Sequence, residues 1–536
     1  MKSKKKRRIA PPPETATILV SAAETMPLAV GSLPKSQWLP HCLLAFALLS
    51  GVGLMVPTMF AGPLVLDEYG TYWLVDAESP GTLWQRSLDY ENIPPLTPYL
   101  QRQLCRLFGT SEISLRLLSM LSYWLAIGAV YLLARDLLGR VEGGLAAVVL
   151  AWHPEALGEI RIARCYGLTM VLSTLAFWVT VRWSRKPLSL WMVPWTLLNA
   201  ALVWTHYLNV SLIVAQGVWL LWSFRRGSLH VWTLCAMGFG GVVASTLPLL
   251  APIFRIAVWG DSFNFQPEAP IWDVIVPMWW LGLPVAWLAG RWLMSRSHRP
   301  LLALPDGSTM FLLFAWGLLP AILAAVVCQG DLSSLSNPRY RIGFVAPSAC
   351  LLVACLVYRR TATVATASVL VALSLAWLMS PRWPWEMKRL GNPRAVEWQQ
   401  MALDVEERGR PGEPLFVQGG LGEGFMVPPM FDDLLFQDYV ACRMGRFYLK
   451  TEHPRYGLPF LWGKSDEMVE FYQELLRRRA QSDQPTLWVA SATDTDLNRA
   501  SFAGFHMILV REGYRELDRK VAPNTVLVHY SHESGR

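Results

Sequence analysis

The chain has 536 residues, of which 53% are hydrophobic and only 16% charged, with a net charge of +8 at neutral pH. Soluble proteins carry about 25% charged residues, so a wholly soluble globule is excluded. The basic residues sit in small groups between apolar runs, which argues against a nucleic-acid face and for a positive-inside membrane protein.

Residues 1–40 open with the basic run Lys2–Arg8 and continue Pro- and Ala-rich, without a long apolar core. This stretch is expected to be a disordered cytoplasmic tail attracted to anionic lipid head groups, not a signal peptide. From residue 41 to 380 apolar runs alternate with short charged breaks. A membrane span needs about 20 apolar residues. Candidates are 41–60, 114–134, 141–157, 166–183, 189–205, 207–222, 229–253, 272–293, 309–327, 341–358 and 361–380. The 26 Trp support the assignment, since Trp favours the bilayer interface. Of the eight Cys, Cys42, Cys235, Cys350 and Cys355 lie inside apolar runs and none has metal-ligand spacing.

Every second break is Arg-rich: Arg135/Arg140, Arg182/Arg185/Lys186, Arg225/Arg226, Arg291/Arg296/Arg299 and Arg359/Arg360. Placing these in the cytoplasm satisfies the positive-inside rule throughout. Eleven spans then put residues 381–536 on the outer side. The remaining breaks face outward and hold Asp67, Glu68, Glu91, Glu155, Glu159, Arg161, Arg164, His206, Arg255 and Arg339–Arg341. Ionisable groups of both signs at a membrane boundary point to a site.

The first outer loop, about 61–113, is expected to be a structured cap. In "TPYLQRQLCRLFG", Leu100, Leu104 and Leu107 recur on one face while Gln101, Arg102, Gln103 and Arg106 take the other, as in a helix lying in the interface plane. Gly109 is a natural stop, and Pro94-Pro95 predict an extended lead into the helix. Residues 381–536 have a soluble composition. There "PLFVQGG", "TLWVAS" and "HMILV" predict buried strands, and "SDEMVEFYQELLRRRA" a helix capped by Ser465, giving a soluble α/β domain. The "DTD" at Asp494–Asp496 is read as a helix cap and not as a metal motif. No phosphate-binding P-loop and no Gly-rich dinucleotide fingerprint occurs.

The acidic "LDEYGTYW" after the first span, "ENIPPL", "FGTSEISLRLLS", "ARCYGLTM" at 163–170, "THYLNVSL" at 205–212 and "NPRYRIGFVAP" at 337–347 follow one another in an order that resembles the glycosyltransferase family 39/83 group. These are polytopic GT-C enzymes related to protein O-mannosyltransferases and bacterial aminoarabinose transferases. The likeness covers roughly residues 40–360. It implies a GT-C fold with about eleven transmembrane helices, interfacial helices in the first outer loop and an appended C-terminal domain. It also implies transfer of a sugar from a polyprenyl-phosphate carrier to a lipid, glycan or protein acceptor. The acceptor's own identity stays open.

By that resemblance Asp67 is the general base that takes the acceptor proton, and Glu68 tunes it, holds a metal or pairs with Arg164. The leaving phosphate needs cations, and Arg is suited by its planar fork. The family's "RY" element falls on Arg339-Tyr340, making Arg339 the first choice for the lipid phosphate. Arg164 with Tyr166 matches an "R-x-Y" element, Arg161 is a further cation on the same side, and His206 lies in the family's "THY" word. Glu91 precedes Pro94-Pro95, where relatives often carry acidic or His residues. This chain has "ENIPPL" in place of the commoner "HPPL", a departure that sets Glu91 and Asn92 apart from the pattern, and Glu91 is kept as a candidate substrate-binding residue. Direct attack without a protein nucleophile inverts configuration. No cofactor is firmly implied, and a divalent metal is left open. The expected location is a bacterial inner membrane, N-terminus in the cytoplasm and C-terminal domain in the periplasm. The rival readings are a multi-pass transporter or flippase, against which the lack of internal repeats and of mid-span polar groups argues, and a glycan ligase of the same fold.

Overall fold

The computed structural model describes residues 38–60, 62–256, 288–290, 292–293, 305–327, 338–356, 358, 362–379, 393–483 and 485–533. The basic tail to residue 37, most of 257–304, Arg359 and Arg360, and the side chains of Arg255 and Arg341 lie outside them. So does nearly all of the expected span 272–293.

The first part is helical. Its elements are α1 (Leu39–Met59), α2 (Leu66–Val75), α3 (Pro80–Asp89), α4 (Leu96–Phe108), α5 (Glu112–Leu137), α6 (Arg140–Ala151), α7 (Pro154–Glu159) and α8 (Tyr166–Arg185). They continue with α9 (Ser189–Thr205), α10 (Val210–Ser223), α11 (Leu229–Thr246), α12 (Leu250–Ile256), α13 (Gly307–Val327), α14 (Val345–Leu356) and α15 (Ala362–Met379). Among the described residues three stretches are long and apolar enough to cross a membrane, Leu39–Pro57, Glu112–Leu137 and Leu229–Phe254. The expected span 141–157 is divided, because Pro154 cannot donate to the helix before it and instead starts α7.

One polar network stands inside the bundle. Gln216 Oε1 accepts from Thr180 Oγ1 at 2.8 Å and from Asn199 Nδ2 at 3.1 Å, and Gln216 Nε2 donates to Asn199 Oδ1 at 2.8 Å. This corrects the expectation that polar groups lie only at span ends. Each group is paired across helices, which lets them remain among apolar neighbours. Trp183, Trp195 and Trp316 are fully buried, with Trp316 stacked on Phe177 at 4.1 Å. These rings pack the core, so not all of the Trp excess is interfacial.

The first loop folds as α2, α3 and α4. Gly109 ends α4 at φ 79, a conformation glycine adopts without steric cost. Pro95 has φ −80 and ψ −2, so it already takes a helical turn where an extended lead was expected; its ring-fixed φ fits the first turn of a helix. Leu107 and Phe108 on α4 are exposed, whereas Gln101 and Arg102 are buried. Arg102 Nη2 donates to the carbonyls of Ala77 and Glu78 at 2.6 and 2.9 Å, and Gln101 Nε2 to Leu115 O at 3.2 Å. Gln101 and Arg102 thus turn inward to join the loop together, Leu100 packs partly buried against the helical core, and Arg106, Leu107 and Phe108 face outward.

The C-terminal part contains α16 (Pro393–Arg408), β1 (Leu415–Gln418), α17 (Leu434–Val440), β2 (Arg455–Gly457), α18 (Asp466–Ala480), β3 (Thr486–Ala492), α19 (Asp496–Arg511), β4 (Tyr514–Val521) and β5 (Thr525–His532). The sheet order is β2-β1-β3-β5-β4. β1 is parallel to β2 and β3, and β5 is antiparallel to β3 and β4. Ser465 caps α18 and Thr495 caps α19, each accepting from the amide three residues on. "HMILV", expected as a strand, lies in α19. Phe505, Ile508 and Leu509 bury one helical face there, a spacing that a short apolar run hides.

This part docks on the first loop. Trp73 Nε1 donates to Asp438 at 2.7 Å, Tyr90 Oη to Asp433 at 2.8 Å and Tyr448 Oη to Glu112 at 2.8 Å. Tyr69, Trp73 and Tyr90 share one apolar core with Phe436, Tyr439 and Phe447.

Candidate active site

Charged residues from three of the expected outward breaks, and His206 from a fourth, meet at one place. Asp67, in the first turn of α2, accepts from Arg339 Nη1 on Oδ2 at 2.6 Å, and its Oδ1 lies 3.7 Å from Arg164 Nη2. Arg164 Nη1 donates to Glu91 Oε1 at 2.5 Å. Burial alone would raise the Asp67 carboxyl, but Arg164, Arg339 and the more distant Arg443 outweigh it and hold the group below 3.8. Thr71, Ile93, Thr97, Pro98, Gln101, Arg164, Cys165, Tyr166, His206, Arg339 and Tyr340 line the cavity beside this chain of ion pairs.

Local structure explains the placement. The turn before α8 is pinned from three sides. Ser119 Oγ donates to the carbonyls of Ile162 and Arg164 at 2.9 and 3.1 Å, and Thr71 Oγ1 donates to Ala163 O at 2.9 Å. Ala163 N in turn donates to Glu68 Oε1 at 2.9 Å. A Cβ on Gly167 would stand 2.6 Å from Ser119 O, so only glycine lets α8 start this close to α5. Asn92 takes φ 53, which Asn tolerates better than most side chains, and this kink follows Glu91 directly.

Glu68 does not face the cavity. Its Oε1 accepts from Arg116 Nε at 2.8 Å as well as from Ala163, and its Oε2 accepts from Arg116 Nη2 at 2.7 Å and Val65 N at 3.0 Å. Its partner is therefore Arg116, and not Arg164 as one expectation had it. Adjacent helix residues point about 100° apart, so Asp67 and Glu68 look into different environments. Glu68 is fully buried and its lone pairs are occupied; this is a structural ion pair, and the expectation of a catalytic Glu68 does not fit it.

His206 follows α9, and its Nδ1 accepts from Leu208 N at 3.2 Å, which leaves the proton on Nε2. Burial, then the charges of Arg339 and Arg164, depress its pKa to about 4, so the ring is a neutral donor at physiological pH. Its ring lies 5.5 Å from that of Tyr340, whose own ring carries the Arg339 guanidinium at 5.1 Å. Tyr166 lines the same cavity. Arg161 is half-buried in the turn between α7 and α8 and is not among the lining residues.

One acidic neighbour escaped the sequence reading. Glu423, after β1, accepts from Tyr439 Oη at 3.1 Å. Burial first, and then the negative charge of Glu91, push its pKa up to about 7. A lone Glu in "GGLGEG" offers no chemical signature, so nothing in the sequence pointed to it. Among the described residues no group of three or more His, Cys, Asp or Glu side chains is placed to hold a metal ion.

Residues 92–254, the segment carrying Arg164, Tyr166 and His206, match the family model described as dolichyl-phosphate-mannose-protein mannosyltransferase. No curated protein matches the chain. Among solved structures, ArnT from Cupriavidus metallidurans bound to undecaprenyl phosphate is similar at 17% identity and a TM-score of 0.52, covering 91% of this chain and 97% of that one. Its apo form gives 16% and 0.53 over the same shares. The archaeal oligosaccharyltransferase AglB from Archaeoglobus fulgidus, in complex with an inhibitory peptide and a dolichol-phosphate, is similar at 12% identity and a TM-score of 0.53, covering 85% and 70%. At these identities the likeness establishes a shared fold.

Proposed function

We propose that this chain, a glycosyltransferase of the GT-C class, moves a sugar from a polyprenyl-phosphate donor to an acceptor hydroxyl or phosphate, with Asp67 as general base. One observation carries the reading: a carboxylate held between two guanidinium groups, all three in or beside one polar cavity at the helix ends. In the proposed reaction the acceptor oxygen attacks the anomeric carbon from the face opposite the leaving phosphate and configuration inverts. The carbon–oxygen bond to phosphate breaks, its electron pair leaves on the phosphate, and the acceptor proton passes to Asp67.

Arg339 and Arg164 would neutralise the phosphate by forked, charge-assisted hydrogen bonds. His206 Nε2–H and the hydroxyls of Tyr166 and Tyr340 are further donors in reach of the same space. Glu91 keeps Arg164 oriented. The reading uses Glu68 only to fix α2 through Arg116, and it routes no step through a metal. It includes eleven spans in a bacterial inner membrane, the site and residues 381–536 on the periplasmic side, and a donor whose prenyl tail stays in lipid. The undecaprenyl phosphate and dolichol-phosphate in the similar structures support that donor class.

The test supplies membranes containing the full chain with a panel of labelled polyprenyl-phosphate sugars and follows transfer. Asp67→Asn should fall by about 10²–10⁴-fold at normal expression, the usual worth of a general base. Undiminished transfer by the mutant would remove Asp67 from the role. Movement of an intact solute without sugar release would favour a transporter.

A further inference from the structure

The C-terminal part holds a second group of cations that the proposed transfer does not use. In the order β2-β1-β3-β5-β4 the chain leaves β1 toward one edge of the sheet and β3 toward the other. The carboxyl ends of these parallel neighbours therefore diverge, which is where open α/β sheets receive ligands. Gly419 and Gly420 follow β1 there. Gly420 has φ 74, and a Cβ on it would lie 2.7 Å from Arg394 Nη2, so the guanidinium rests against bare backbone. The start of α19 adds the positive end of a helix dipole.

Arg394 Nη1 pairs with Asp494 Oδ2 at 2.6 Å. Arg443 is 3% exposed and stacks on Trp398 at 4.9 Å, yet its Nε and Nη1 donate to no group among the described residues. Asn498, equally buried, gives Nδ2 to Asp494 at 2.8 Å, and among the described residues its Oδ1 and the buried Tyr69 hydroxyl have no partner. Among the described residues Asp494 pairs with Arg394 and also acts on Arg443 through its charge. Burial, and then repulsion from Arg394, lower the pKa of Arg443 to about 9, as for a cation that lacks its anion.

We propose that this crevice is a second oxyanion site, built on Arg443 and Arg394, that takes a phosphate-class group. A buried forked guanidinium with two donors unused among the described residues suits such a group, and its positive charge disfavours a cation. The Cys442–Met444 turn that carries Arg443 packs against α2, the helix of Asp67, so an anion held here is close to the reaction centre. On the transferase reading, on which this last assignment rests, the group is carried by the acceptor, because the donor phosphate has Arg339 and Arg164. Free inorganic phosphate has the same chemistry, and the two are separable.

The probe is inorganic phosphate, titrated against chloride at constant ionic strength into the purified full chain carrying Arg339→Gln, which weakens the donor side. Thermal unfolding should still shift upward with phosphate in that variant. Adding Arg443→Met should raise the half-maximal phosphate concentration at least about tenfold, the loss of one charged hydrogen bond. Should the Met variant fail to fold, Asn498→Asp, which turns a carboxylate on the same space, must weaken the response as much. No phosphate response in Arg339→Gln, or an unchanged one in both crevice variants, overturns the site. In wild-type transfer assays, phosphate that raises the acceptor KM alone marks an acceptor-borne group. Stabilisation without any effect on either KM marks a free-ion site. Because the thermal response needs no turnover, a chain that fails to transfer sugar can still pass or fail this test.

Discussion

Arg339 donates to Asp67 at 2.6 Å across 272 residues of sequence, so the base and the phosphate cation of the proposed reaction hold each other before a substrate arrives. A donor phosphate on Arg339 and Arg164 would draw them from Asp67 and free the carboxylate to take the acceptor proton. The same pairing keeps Asp67 ionised: its contribution to stability is present above 3.8 and is lost as pH falls through its lower folded value.

Arg339→Lys keeps the charge and loses the fork. Losing one charge-assisted hydrogen bond, about 1.5–3 kcal/mol, raises the donor KM by roughly 10- to 100-fold. Arg339→Gln removes one of the cations that depress Asp67, so the acid limb of kcat/KM moves to higher pH. Initial rates against donor concentration and pH check both.

Glu68→Gln acts on stability and not on chemistry. Breaking a buried pair from one side costs about 3–5 kcal/mol, and Glu68 has four donors aimed at its two oxygens. The variant should unfold at lower temperature while its folded fraction transfers sugar within a few-fold of wild type. Adding Arg116→Gln should restore part of the stability. A Glu68→Gln protein of normal stability and no activity would return Glu68 to the catalytic set.

Glu423 gives a pH dependence of opposite sign to Asp67. Its folded pKa of about 7 exceeds the ordinary 4.5, so the folded protein binds this proton more tightly than the unfolded chain does. Stability therefore falls as pH rises from 4.5 to 7, by roughly 3 kcal/mol, and stays lower above that. Glu423→Gln, which can still accept from Tyr439, should flatten the slope and raise the unfolding temperature at pH 8. Superimposable curves of unfolding temperature against pH for the two proteins would contradict it.

His206 is a neutral donor, so its substitution separates hydrogen bonding from charge. His206→Gln retains an N–H and should keep most activity, whereas His206→Ala loses about tenfold, one hydrogen bond at the active site. Between pH 5 and 8 the wild-type profile should show no titration that belongs to this ring, because its pKa is about 4, so wild type and variants should share one shape there.

Much of this arrangement was legible from one dimension. The alternation of Arg-rich and mixed-charge breaks placed Asp67, Glu91, Arg164, His206 and Arg339 on one side of the expected spans, and these residues meet in the structure. Hydrophobic runs and charge asymmetry are local properties, written directly in composition along the chain. The helix of residues 96–108, its Gly109 stop and the Ser465 cap were legible for the same reason.

What the sequence by itself determined is thus the helical membrane character, the end of the helices at which the charges gather, and the residue types able to hold a phosphate. Only the tertiary structure decided which charge faces which. Asp67 and Glu68 are neighbours of like charge in sequence, yet Asp67 meets Arg339 and Arg164 while Glu68 is sealed against Arg116. Glu423 and Arg443 came to the first loop from the far C-terminal part with no local signal at all. The reason is physical: the direction a side chain takes on a helix, and the partner burial then forces on it, are set by packing between distant segments, which no local pattern records.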